Sequence, residues 1–187
     1  SEVSRLAPIF GPALAEFHAR RPDLRIVVPA AGPVAGLVTQ ETRSWAVDPV
    51  IFDPAGLPPG EAGAVKRALF AGADLALAAS GTVSLELARA RTPMVVAYSF
   101  QWLTWQIMRR MALIDTVTLV NLVSETRVVP ECLGPDCTPE NISDALFQVA
   151  QEPGPQDAAM ALTMERLGEG GEAPGLRAAR AVLDRLG

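Results

Sequence analysis

Short apolar runs alternate with helical patterns along most of this chain, and that alternation constrains the fold more than any other feature. The runs LRIVVPAA (24–31), DPVIFDP (48–54), DLALAA (74–79), PMVVAYS (93–99) and DTVTLVNLV (115–123) read as strands. Helical spacing is found before and between them. Leu6, Ile9, Phe10, Leu14 and Phe17 mark a helix over 4–20, and further helices are predicted at 33–42, up to Phe70, at 82–91 and at 101–112. Short strands separated by helices imply βαβ units, hence an α/β fold with a parallel sheet and helices on both faces. From residue 125 onward only helices are predicted, at 125–133, 139–151, 157–168 and 173–186, appended to that sheet. In such sheets ligands bind beyond the carboxyl ends of the strands.

The totals narrow the function classes. The 187 residues suffice for one domain with its own core, and 49% hydrophobic with 20% charged residues excludes a disordered or fibrous chain. A net charge of −5 argues against a nucleic-acid partner held by bulk electrostatics. No apolar stretch reaches the roughly 18 residues a membrane-spanning helix needs, and SEVSRLAPIF does not read as a signal peptide. Cys132 and Cys137 are expected as free thiols in a reducing compartment. His18 is the only histidine, so a metal site is not expected, and no cofactor is predicted. These features together predict a cytoplasmic, metal-free protein.

The stretch AASGTVSLE (78–86) lies where a ligand is expected. A helix N-terminus leaves N–H groups unpaired and carries partial positive charge, which attracts phosphate. Gly81 lets a ligand approach the backbone, while Ser80 and Thr82 offer hydroxyls that either cap the helix or donate to phosphate oxygens. Glu86, four residues after Thr82, lies on the same helical face and can accept both hydroxyls of a ribose. These are the parts of a nucleoside-diphosphate holder. Spacing alone also allows an ordinary strand-to-helix turn with a surface glutamate, and neither a dinucleotide fingerprint nor a P-loop lysine is present.

A longer run carries more information. Residues 73–134 contain A-S-G-T-x-x-L-E, P-M-V-V-x-Y, an aromatic-rich amphipathic stretch, N-L and V-P-E, and the chain closes with LRAARAVLDRL. This pattern resembles the C-terminal half of the lipid-A-disaccharide synthases, which are GT-B glycosyltransferases. SEVSRLAP is similar to the residues that follow the family's Gly-Ser-Arg loop, so the resemblance extends over essentially the whole chain.

The resemblance implies a Rossmann-like half-domain over 1–153 that binds a UDP-sugar. Helices over 154–187 are expected to pack on it or cross to an N-terminal domain outside this sequence. It also implies transfer of 2,3-diacylglucosamine from its UDP derivative to 2,3-diacylglucosamine 1-phosphate, giving the β-1,6 disaccharide phosphate and UDP. Ser80, Gly81 and Thr82 would face the diphosphate, Glu86 the ribose, and Asn121 would match a family asparagine in the site. Tyr98, at the end of its strand, would line the cleft. The general base and the Gly-Ser-Arg arginine are expected in the missing part, so this chain alone is expected to be inactive. Ser99 and Gly134 stand where the family often has a basic residue and a glutamine. Other UDP-sugar GT-B enzymes (the peptidoglycan N-acetylglucosaminyltransferase, the UDP-N-acetylglucosamine 2-epimerase) and a non-catalytic UDP- or lipid-binding module are the competing readings.

FQWLTWQIMRRMALI (100–114) gathers Phe100, Trp102 and Trp105 with Arg109 and Arg110. Aromatic rings beside arginines suit a membrane interface. With acylated substrates, this stretch predicts contact with the cytoplasmic surface of the inner membrane; the competing expectation is that it packs on the sheet. His18 is expected at the surface, and Asp53 is expected to serve a turn.

Overall fold

The computed structural model describes residues 1–58, 60–99, 115–171 and 174–186. Helix α1 (Glu2–Arg20) starts at Ser1, whose hydroxyl accepts the Ser4 N–H at 3.2 Å. Strand β1 (Val27–Pro29), α2 (Ala35–Thr42) and β2 (Val50–Phe52) follow. Then come α3 (Ala62–Ala71), β3 (Ala76–Ala78), α4 (Val83–Ala90) and β4 (Met94–Tyr98). After residue 115 the order is α5 (Leu119–Ser124), β5 (Glu131–Leu133), α6 (Pro139–Gln151), α7 (Gly154–Arg166) and α8 (Pro174–Leu186).

All strand pairs are parallel. β1 pairs with β2, and β3, β4 and β5 form a second sheet with β4 in the centre. The central strand explains the layering, because successive side chains point to opposite faces. Val95 and Ala97 pack with Ala13 and Phe17 of α1 and with Ile142, Leu146 and Val149 of α6. Met94 and Val96 pack with Leu87 and Ala88 of α4, Val120 of α5 and Met160 of α7. A run of apolar residues buried on both sides is what a parallel sheet covered by helices requires. The β1–β2 pair is less covered: Val28 and Ile51 pack near Ala35 and Val38, but Val27 and Val50 remain 42% and 58% exposed.

Gln156 on α7 closes the start of β4. Its amide donates to the Met94 carbonyl at 2.9 Å and accepts the Met94 N–H at 2.8 Å, in a buried environment. On the other side of the molecule Trp45, just after α2, donates its indole N–H to the Ala7 carbonyl at 3.1 Å. The ring lies over Gly11, where an added Cβ would fall 2.4 Å from Trp45 Cδ1 and 2.8 Å from Cγ. Gly11→Ala is therefore expected to displace the indole and cost about 1–3 kcal/mol as overpacking. Thermal denaturation checks this; an unchanged midpoint would show that the α1–α2 contact tolerates the methyl.

Two expected elements are corrected. The run 115–123 is not a strand: α5 occupies Leu119–Ser124, and 115–118 is irregular. The Glu131 carboxylate takes the Thr116 hydroxyl at 2.6 Å and the N–H groups of Val117 and Thr118 at 3.1 and 2.7 Å. A strand would need those donors for its ladder, and tertiary context overrides the β-propensity of Thr-Val-Thr. The predicted helix over 125–133 is instead mostly loop and β5. Glu125, at φ 59°, ends α5, and Pro130, which has no N–H to donate, offers its carbonyl to Val96 N at 3.0 Å. The predicted helix at 101–112, including Phe100, Trp102, Trp105, Arg109 and Arg110 nearby, lies outside the described residues.

Candidate nucleotide-binding site

β3, β4 and β5 end at one edge of their sheet, and the AASGT turn leaves it there. Gly81 adopts φ +141°, and a Cβ built on it would meet nothing within 4 Å among the described residues. The backbone conformation favours glycine, and no described residue fills the space in front of it. Ser84, buried on the first turn of α4, donates its hydroxyl to the Gly81 carbonyl at 2.9 Å and so fixes that peptide. Thr82 is the N-cap of α4 but makes no side-chain cap bond. Gly81 and Thr82 are exposed, and Ser80 is half-buried. The turn thus presents a helix N-terminus, a glycine peptide and a hydroxyl on one open surface, as a phosphate group requires.

Glu86 lies one turn further along α4. Its two oxygens are 2.9 and 2.8 Å from Lys66 Nζ on α3, and both side chains are partly exposed. Lys66, the only lysine, also lies 5.3 Å from the Phe70 ring centroid. A surface pair of this kind is worth about 0–1 kcal/mol, so it orients the carboxylate more than it stabilises the fold.

Tyr98 ends β4. Since Ala78 is in register with Val96, Tyr98 is level with Ser80 on the neighbouring chain segment. Its hydroxyl accepts Arg5 Nη2 at 2.7 Å, and the guanidinium carbon lies 4.9 Å from the ring centroid. The edge therefore carries an arginine that local pattern did not indicate, since it is separated from Tyr98 by 93 residues in sequence.

Asn121 occupies a different setting. It sits within α5 rather than at a strand end, is 1% exposed, and uses both ends of its amide on one residue. Nδ2 donates to the Val129 carbonyl at 2.9 Å, and Oδ1 accepts the Val129 N–H at 3.0 Å. The side chain braces the connection into β5.

The remaining candidates lie apart from this turn in sequence. Asp53 accepts the Ala55 N–H at 2.9 Å and starts a short 3-10 turn. His18 is half-buried in the last turn of α1, not fully at the surface. Cys132 and Cys137 are free and buried, and burial pushes the Cys132 thiol up to about 11, so it stays protonated at neutral pH. Among the described residues no group of three or more His, Cys, Asp or Glu side chains is placed to hold a metal ion, and no helix is long and apolar enough to cross a membrane.

A parallel sheet between helices, with a glycine turn, a helix terminus and a carboxylate at its carboxyl edge, defines a Rossmann-like domain of the kind that forms half of a GT-B enzyme. The sequence profile of the lipid-A-disaccharide synthetases matches residues 1–172, and the chain belongs to that family. A lipid-A-disaccharide synthase from Ruegeria pomeroyi is 65% identical over 185 residues, covering 99% of this chain and 46% of that protein. The proteins of the same name from Paramagnetospirillum magneticum and Rhodospirillum centenum are 39% and 40% identical over 98% of this chain. The chain spans under half the length of these relatives, 46% and 45% for the last two.

Proposed function

We propose that this chain is the donor-nucleotide part of a glycosyltransferase that makes the lipid A disaccharide phosphate. The donor is UDP-2,3-diacylglucosamine, the acceptor 2,3-diacylglucosamine 1-phosphate, and UDP the leaving group. Residues 1–153 bind the UDP-sugar, and 154–187 belong to the helical extension that packs on this unit or reaches the N-terminal domain. The observation that carries this reading is the open Gly81 turn at the head of α4, with Glu86 one turn beyond it.

Departure of UDP builds negative charge on the β-phosphate. The N–H groups at the start of α4, held by a peptide already fixed through Ser84, meet that charge with no reorganisation. Glu86 accepts the ribose hydroxyls, with Lys66 setting the orientation of its carboxylate. The proton of the acceptor's 6-hydroxyl goes to a base contributed from outside this chain. Acylated substrates place the reaction at the cytoplasmic surface of the inner membrane.

Calorimetry with UDP and ADP tests this reading. UDP is expected to bind in preference to ADP. Glu86→Gln is expected to weaken UDP about tenfold, as loss of one charge-assisted hydrogen bond implies, with little change in the melting midpoint. Equal affinity for UDP and ADP would overturn the assignment. The chain alone is expected to form no disaccharide, and adding the N-terminal half of a relative is expected to restore turnover.

A further inference from the structure

Arg5 is a cation built into the carboxyl edge of the sheet with an incomplete set of partners. It sits at the end of the first turn of α1 and is half-buried. Nη2 donates to the Tyr98 hydroxyl at 2.7 Å, the guanidinium lies against the Tyr98 ring, and Nε is buried with no hydrogen-bond acceptor among the described residues. Seven ion pairs are formed among the described residues, and Arg5 is in none of them. The other arginine of α1 that approaches the core helices, Arg20, has an aspartate, Asp144, at 2.6 Å.

A guanidinium drawn partly out of water, with a neutral hydroxyl as its hydrogen-bond partner, is short of negative charge. The tyrosine supplies direction rather than charge: its ring and hydroxyl hold the planar group beside the residue that ends β4, and β4 pairs with the strand that leads into the Gly81 turn. Arginine presents paired N–H donors that match two oxygens of a phosphoryl group. The turn and Arg5 approach the same edge from different elements, α4 and α1, so an anion seated there would be held from two sides.

We infer that Arg5 binds a phosphate oxyanion in the cleft and that Tyr98 is a positioning residue acting through it. This deepens the reading above, on which it rests for the source of the phosphate. The shared chemistry is a phosphoryl group, supplied by the donor's diphosphate or by the acceptor's 1-phosphate.

The test uses inorganic pyrophosphate, UDP, ADP and uridine with the unaltered chain and with Arg5→Gln, Arg5→Lys and Tyr98→Phe. Arg5→Gln is expected to weaken pyrophosphate and UDP about tenfold and leave uridine unchanged. Arg5→Lys is expected to recover part of the loss. Tyr98→Phe keeps the ring and is expected to weaken pyrophosphate about threefold at an unchanged melting midpoint. In the unaltered chain the Arg5 Nε–H resonance is expected to shift on titration with pyrophosphate.

An acceptor source is read separately, as a rise in KM for the 1-phosphate substrate when the N-terminal half of a relative is supplied, with UDP affinity unaltered. Pyrophosphate binding that depends on Arg5 without preference for UDP over ADP would keep this site and overturn the uridine reading. Preference for UDP with Arg5→Gln indistinguishable from the unaltered chain, for pyrophosphate, UDP and acceptor KM alike, would overturn the site alone.

Discussion

Asn121→Ala is expected to lower the melting midpoint sharply while leaving the affinity of the remaining folded protein for UDP close to that of the unaltered chain. The Asn121 amide satisfies both the N–H and the C=O of Val129, and all of these groups are buried. Removing it strands two backbone groups, each costing about 1–3 kcal/mol, so about 2–6 kcal/mol together. For a chain of this size that corresponds to a fall of about 5–20 °C. Val129 leads through Pro130 into β5, so the damage reaches the sheet edge that pairs with β4. Differential scanning calorimetry at saturating and zero UDP separates stability from binding. A variant with an unchanged midpoint and lost UDP affinity would show that Asn121 touches the ligand instead.

Gly81→Val is expected to give the largest loss of binding, about a hundredfold for UDP. A φ of +141° is closed to a β-branched residue, so the fold either bears strain of about 1–3 kcal/mol or rotates the peptide away. Rotation breaks the bond from Ser84 and turns away the N–H groups proposed to face the phosphate. If the peptide stays, the new methyl groups stand in the open space that the ligand would occupy. Either outcome removes about 2.7 kcal/mol of binding, the equivalent of a hundredfold. Titration with UDP and a melting curve cover both cases. Unaltered affinity at an unaltered midpoint would show that the diphosphate does not approach this turn.

The parts of the candidate site that are legible in sequence are those set by neighbours a few residues away. A glycine between strand and helix, hydroxyls beside it and a carboxylate one turn on are local features, and AASGTVSLE displays all of them. What it does not display is the partner of each group. Lys66 reaches Glu86 from α3 and Arg5 reaches Tyr98 across 93 residues, and no periodicity reports such contacts. The same limit explains the misread strand. Thr116, Val117 and Thr118 carry β-prone side chains, but their donors are claimed by Glu131, and local propensity cannot register a carboxylate that arrives from another element. The strand that pairs with β4 on the side away from β3 is β5, which begins directly after Pro130.

The Gln156 amide has a consequence for how the molecule comes apart. By pairing with both backbone groups of Met94, it acts as a one-residue surrogate for a neighbouring strand. Helix α7 is thereby tied into the central ladder and not merely laid upon it. Opening α7 exposes Met94 and Met160 together, and fraying the head of β4 loosens α7. The two segments are therefore expected to open as one cooperative unit. A protease that cut the Pro153 turn would leave the helix in place until the sheet itself gave way.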